Sequence, residues 1–207
     1  MAFTNFTTTA QVQSAYEIHQ VSQDFILDPR QEPPPSLVDE LAFKRQTLDV
    51  FSSESSRKEN IIYPILFASY RNHYEKLVIW NEPYLYADDK LSGHPDYLVA
   101  ARSPLGPQIL DKPILMIIEA KQNDFTKGWA QCLAAMVGAQ KLNEQPTMTI
   151  YGLVTDGELW QFGKLDGTQF TQNLASYTLA NLAQIYGSVN WLYEKASHQI
   201  SQKGTES

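Results

Sequence analysis

Apolar residues along this chain recur first at helical spacing and then at strand spacing. Residues 10–26 carry a short helical pattern, and QEPPPS at 31–36 reads as a connector, because consecutive prolines favour extended polyproline and cannot continue a helix. Ser36 is the expected cap of a helix over 36–51, with Asp39 and Glu40 in its first turns, where the helix dipole favours acids. Ile61, Ile62, Ile65, Leu66 and Ser69 predict a second helix within 52–75, kinked or delayed at Pro64. The period then shortens. LVIWNEPYLYA (77–87) predicts a strand with a bulge or an edge position at Pro83, and HPDYLVAAR (94–102) a second strand. ILMIIEAK (114–121) predicts a third, buried on both faces because its apolar run is unbroken.

An amphipathic helix is expected over 126–142. Trp129, Leu133, Met136 and Gln140 share one side, and Ala134, Ala135, Gly138 and Ala139 form a small-residue surface for close packing. TMTIYGLV (147–154) and ELWQFG (158–163) predict two more strands joined by a turn at Asp156-Gly157, with a further turn at LDGT (165–168). Leu179, Leu182, Ile185, Tyr186, Val189 and Leu192 predict a closing helix near 178–198. Helices, a strand meander, a crossover helix, two strands and a last helix define an α/β fold, with a mixed central sheet of about five strands flanked by helices. At 207 residues one domain is expected, organised as an N-terminal extension over 1–35 and a single α/β domain over 36–207.

Composition narrows the chemistry. Cys132 is the only cysteine, so neither an intrachain disulfide nor a cysteine-based zinc site can form. The four histidines show no metal-ligand spacing. No apolar run is long enough to span a membrane, and MAFTNFTTTAQ lacks the basic start and apolar core of a signal peptide, so a cytoplasmic protein is expected. The net charge of −7 argues against non-specific coating of nucleic acid. The acidity is uneven. Residues 1–50 hold seven acids and three bases, whereas 51–207 hold sixteen and thirteen.

The candidate chemistry sits where the third strand ends. Side chains two apart on a strand share a face, so Glu119 and Lys121 project the same way, about 7 Å apart along the strand, while Ala120 points into packing. Asp96 opens the preceding strand after Gly93-His94-Pro95, and pairing of the two strands brings Asp96 and Glu119 to one edge of the sheet. Two carboxylates about 4 Å apart repel by roughly 4 kcal/mol at an effective dielectric of about 20. A divalent cation reverses that sign, and carboxylate oxygens suit Mg²⁺ or Mn²⁺, with the Ala120 carbonyl as a third ligand. Lys121 beside the ion could orient or help deprotonate an attacking water and neutralise charge on a phosphate.

Pro95-Asp96 followed by Glu119-Ala120-Lys121, 23 residues after Asp96, resembles the signature of the PD-(D/E)XK nuclease superfamily. GHPDYLV, IEAK, WAQCLAAM and IYGLVTDGELWQF look most like the nuclease domain of type I restriction subunits and their stand-alone relatives, over roughly residues 52–163. The resemblance implies a restriction endonuclease-like core and Mg²⁺-dependent cleavage of DNA, with Asp96, Glu119 and Ala120 holding the metal and Lys121 assisting. It also implies a further site residue at Gln131 and an acid on the preceding helix, Glu54 or, failing that, Glu59.

Plainer readings stand beside these. Glu119 and Lys121 also suit a strand-end salt bridge, Asp96 and His94 a turn, Gln131 a solvated helix position, Glu54 a first-turn acid and Cys132 helix packing. The rival to an enzyme is a catalytically silent module with the same fold that acts with a partner protein. A partner subunit docking on the acidic first 50 residues is a third expectation.

Overall fold

The computed structural model describes residues 3–27 and 29–203; the extreme ends of the expected extension and domain, and Asp28, lie outside the described residues. A mixed sheet forms the middle of the molecule. Its strands are β1 (His19–Ser22), β2 (Leu77–Asn81), β5 (Tyr97–Arg102), β6 (Leu110–Ala120), β7 (Ile150–Thr155), β8 (Leu159–Asp166), β9 (Gln169–Gln172) and β10 (Tyr177–Thr178). The order is β1-β9-β8-β7-β6-β5-β2, with β10 also paired to β8. β3 (Leu85–Asp88) and β4 (Leu91–Gly93) form a separate hairpin. β2, β5 and β6 make an antiparallel meander, and β7 lies parallel to β6. Parallel neighbours need a crossover. Here it is α5 (Phe125–Asn143), which starts where the Asp124 carboxylate accepts the Lys127 N–H at 3.0 Å.

Each face of the sheet carries its own core. On one lie α5, α1 (Thr9–Tyr16) and the β3–β4 hairpin, packed around Phe3, Val12, Leu91, Leu98, Ile117, Leu133 and Val154. On the other lie α2 (Pro35–Thr47), α4 (Tyr63–Tyr70) and α6 (Leu182–Lys203), around Leu37, Ile62, Ile65, Met116, Ile118, Phe162 and Tyr193. β6 serves both cores, as its unbroken apolar run predicts. Ile118 and Ala120 face α4 and α6, and Ile117 faces α5. Gly152 lets α5 approach closely, since a Cβ there would come within 2.7 Å of Met136 Sδ.

Besides the single strand expected over 77–87, which breaks after Asn81 so that 77–81 is β2 and 85–88 belongs to the separate hairpin, the structure departs from the sequence reading in four places. The sheet has eight strands, not about five. The additions, β1, β9 and β10, are four residues long or shorter, and all four residues of β1 are exposed, so they carry almost no apolar alternation. The helix expected over 10–26 stops at Tyr16. Glu17 closes it in a left-handed conformation (φ 54°), and the chain turns into β1, parallel to β9. Residues 3–22 therefore pack on the α/β core, with Phe3, Val12 and Ile18 buried. The helix expected from Ser36 begins at Pro35 behind Pro34, because a proline at the first helical position loses only an N–H that would be unpaired anyway.

The fourth departure lies in the helix expected over 52–75. α3 (Glu54–Arg57), capped by the Ser53 hydroxyl, runs into a π-helical turn over Lys58–Ile62 before α4. Pro64 cannot donate to the Asn60 carbonyl and its ring crowds it. The ladder shifts so that the Tyr63 N–H reaches back to the Lys58 carbonyl. Such π-turns insert one extra residue and rotate what precedes them.

Candidate functional site

The register of the meander brings the acids together. Tyr97 pairs with Ile118 across β5 and β6. One residue further along that register, Asp96 stands opposite Glu119, and both belong to the α5 face by alternation from Leu98 and Ile117. The Asp96 Oδ2 accepts the Ala120 N–H at 2.8 Å. The Lys121 N–H continues the strand by donating to the Thr155 carbonyl at 2.9 Å. Its ammonium turns back over the acids, 3.3 Å from Asp96 Oδ2 and 3.1 Å from Glu119 Oε2. A single Nζ thus touches both carboxyl groups.

Two loops hold Asp96 from the outer side. Glu82, after β2, has a left-handed backbone (φ 47°), an uncommon state for a residue other than glycine. Its N–H donates to the Asp96 carbonyl at 2.9 Å, and its own carbonyl accepts from His94 Nδ1 at 2.9 Å. From the π-turn, Lys58 reaches in to Asp96 Oδ1 at 2.8 Å and also pairs with the Glu82 carboxylate. The result is an alternating line of acidic and basic side chains: Glu82, Lys58, Asp96, Lys121, Glu119. A cavity of about 470 Å³ borders its outer end, lined by Ser55, Lys58, Asn81, Glu82, Asp96 and Tyr97. A larger groove of about 530 Å³ against α2 and α4 shares Glu59 and Tyr63 with it.

The two acids differ electrostatically. Glu119 is 3% exposed. Burial, only partly offset by Lys121 and reinforced by the Asp96 charge, pushes its carboxyl up to about 8. Asp96 is also buried, which pushes it upward, but Lys121, Lys58 and the Ala120 N–H together outweigh burial and hold it below the usual carboxylate range. Burial lowers Lys121, yet Glu119, Asp96 and the more distant Glu54 outweigh it and raise its pKa. Lys121 is therefore an ammonium at neutral pH.

The other expected residues are placed as follows. Glu54 heads α3, half-buried, close enough for its charge to act on Lys121. Glu59 is exposed at the rim of the outer cavity. Gln131 is buried in α5, one turn beyond Gly128, whose missing side chain makes room for the Lys121 stem. Among the described residues no hydrogen bond joins Gln131 to Asp96 or Glu119. His94 serves the turn, and the Asp156 carboxylate accepts the N–H groups of Glu158 and Leu159 in the β7–β8 turn. Burial pushes the Cys132 thiol well up, leaving it an apolar packing group.

Sequence reasoning missed Lys58 and Glu82. Lys58 lies in the polar run SSRKEN, which reads as a solvated helix face until the π-turn re-aims it. Glu82 lies in a segment that reads as one strand, where the following proline was the signal for a break. No group of three or more His, Cys, Asp and Glu side chains placed to hold a metal occurs among the described residues. None of the described helices is long and apolar enough to cross a membrane. No family model matches the chain, and a search of curated proteins finds no match.

Proposed function

We propose that this protein is a metal-dependent phosphodiesterase acting on DNA, of the PD-(D/E)XK type with a restriction endonuclease-like core. The observation that carries the reading is the Lys121 ammonium lying within 3.3 Å of Asp96 and 3.1 Å of Glu119. The order of elements supports it: a helix, three antiparallel strands, a crossover helix and a parallel strand, with the acids at the strand ends next to the crossover.

The donor set fits a hard divalent cation. Mg²⁺ is commonly held by one or two carboxylates, with waters and substrate phosphates completing its shell. The raised Glu119 pKa marks a second buried negative charge beside Asp96 as costly without a counter-charge. Asp96 and Glu119 would hold the ion, with the Ala120 carbonyl as a further ligand, and when bound it supplies Lewis-acid activation of a water and of the phosphate. Lys121 provides fixed positive charge where a phosphate gains negative charge, and its raised pKa favours that role over proton abstraction. Glu54 adds negative charge near Lys121, and Gln131 is buried in α5 one turn beyond Gly128. Gly128 fixes the path of the Lys121 stem.

Lys121→Ala tests the assignment. It is expected to abolish Mg²⁺-dependent nicking of plasmid DNA while the far-UV spectrum and cooperative unfolding remain. Unchanged cleavage removes the assignment. A second reading, a silent module that works with a partner protein, is favoured by one observation: both Asp96 oxygens already have protein partners, two lysines and a backbone N–H. The net charge of −7 points the same way. Calorimetry separates the two readings, since only the first requires Mg²⁺ or Mn²⁺ binding that depends on Asp96.

A further inference from the structure

Lys58 has no part in the chemistry proposed above, yet it is the closest charged partner of Asp96. Its side chain is 17% exposed and lies between two carboxylates, 2.8 Å from Asp96 Oδ1 on one side and in contact with Glu82 on the other. Oδ2 is taken up by the Ala120 N–H and Lys121, so Oδ1 is the oxygen that meets Lys58, and both residues line the outer cavity. An ion that coordinates Asp96 through Oδ1 takes the position the Lys58 ammonium now holds, and two cations that close to one oxygen repel strongly. The second partner is already in position. Glu82 is kept there by its N–H donating to the Asp96 carbonyl, by its carbonyl accepting from the His94 ring and by its left-handed backbone, and its own side chain is mostly exposed. Lys58 stands on the π-turn, the feature that turns it inward.

We infer that Lys58 is a built-in competitor for the divalent cation: it occupies Asp96 in the metal-free protein and is released to Glu82 alone when the ion arrives. Resting on the metal-dependent reading above, this assigns Lys58 and Glu82 a joint role in setting ion affinity. It also gives a physical reason for the strained Glu82 backbone, since the released ammonium keeps a carboxylate partner and is not left unpaired at a partly buried position.

The experiment is a Mn²⁺ titration of the full chain, read by calorimetry and by water-proton relaxation, on the wild type, Lys58→Met and Glu82→Gln. Methionine keeps the aliphatic stem and removes the charge. Lys58→Met is expected to bind Mn²⁺ at least about tenfold more tightly, because no ammonium has to be displaced. Glu82→Gln is expected to bind at least about threefold more weakly, because the released lysine loses its second carboxylate. Its site is exposed, so it reports even if Lys58→Met fails to fold. Binding by Lys58→Met with none by the wild type also supports the inference. Unchanged or weaker binding by Lys58→Met, with wild-type binding intact, overturns the competitor role and leaves the metal site standing. Unchanged binding by Glu82→Gln overturns the hand-over. Absence of binding in all three removes the metal site and the inference together.

Discussion

Replacing Glu119 with glutamine keeps the shape of the side chain and removes its ionisation. In the wild type, burial with only partial relief from Lys121 raises this carboxyl from 4.5 to about 8. Between those values the folded chain holds a proton that the unfolded chain has released, so the contribution of Glu119 to stability falls as pH rises through that window. At about 1.4 kcal/mol per pH unit, the loss reaches a ceiling of about 5 kcal/mol once pH passes the folded value. Glutamine does not titrate and escapes it. Asp96 is held below its usual range, so its own contribution is lost only as pH falls through its folded pKa, outside this window. The stability difference, Glu119→Gln minus wild type, is therefore expected to grow by several kcal/mol between about pH 5 and pH 8.5. Urea unfolding in EDTA at both pH values measures it. A difference that stays flat or shrinks with rising pH refutes the argument that burial dominates at Glu119.

Gly128→Ala adds a methyl group 2.7 Å from Val154 Cγ1 and 3.2 Å from Lys121 Cγ. It is expected to cost about 1–3 kcal/mol by overpacking and to reduce nicking by about tenfold or more through displacement of Lys121, measured by denaturation and plasmid assay. Deleting residues 1–22 strips β1 from β9 and removes buried Phe3, Val12 and Ile18. The expected loss is at least about 4 kcal/mol in urea unfolding, whereas an appended tail would cost nothing.

The path from sequence to structure was clearest where burial and period coincide. The run PILMIIEA reads as a doubly buried strand, and β6 serves both cores. Alternation then places Glu119 and Lys121 on one face, and the pairing of Tyr97 with Ile118 brings Asp96 to them. The Asp156-Gly157 turn and the small-residue surface of α5 were visible for the same local reasons. What escaped depends on partners far away in the chain. β1 is polar and exposed, and is a strand only because β9 lies beside it. Lys58 looks like a solvent residue because its direction is set by a π-turn that Pro64 forces several residues later. The carboxylates were legible from strand logic, and the second ammonium that answers them was not.

Crystals soaked in Mn²⁺ and measured at a wavelength where manganese scatters anomalously test the site most directly. A peak at the Asp96 and Glu119 carboxylates, with Lys121 shifted aside from its present place between them and Lys58 withdrawn to Glu82, is the expected result. A map with no peak there, or with manganese only at remote surface acids while Lys58 still grips Asp96, contradicts a metal-dependent phosphodiesterase.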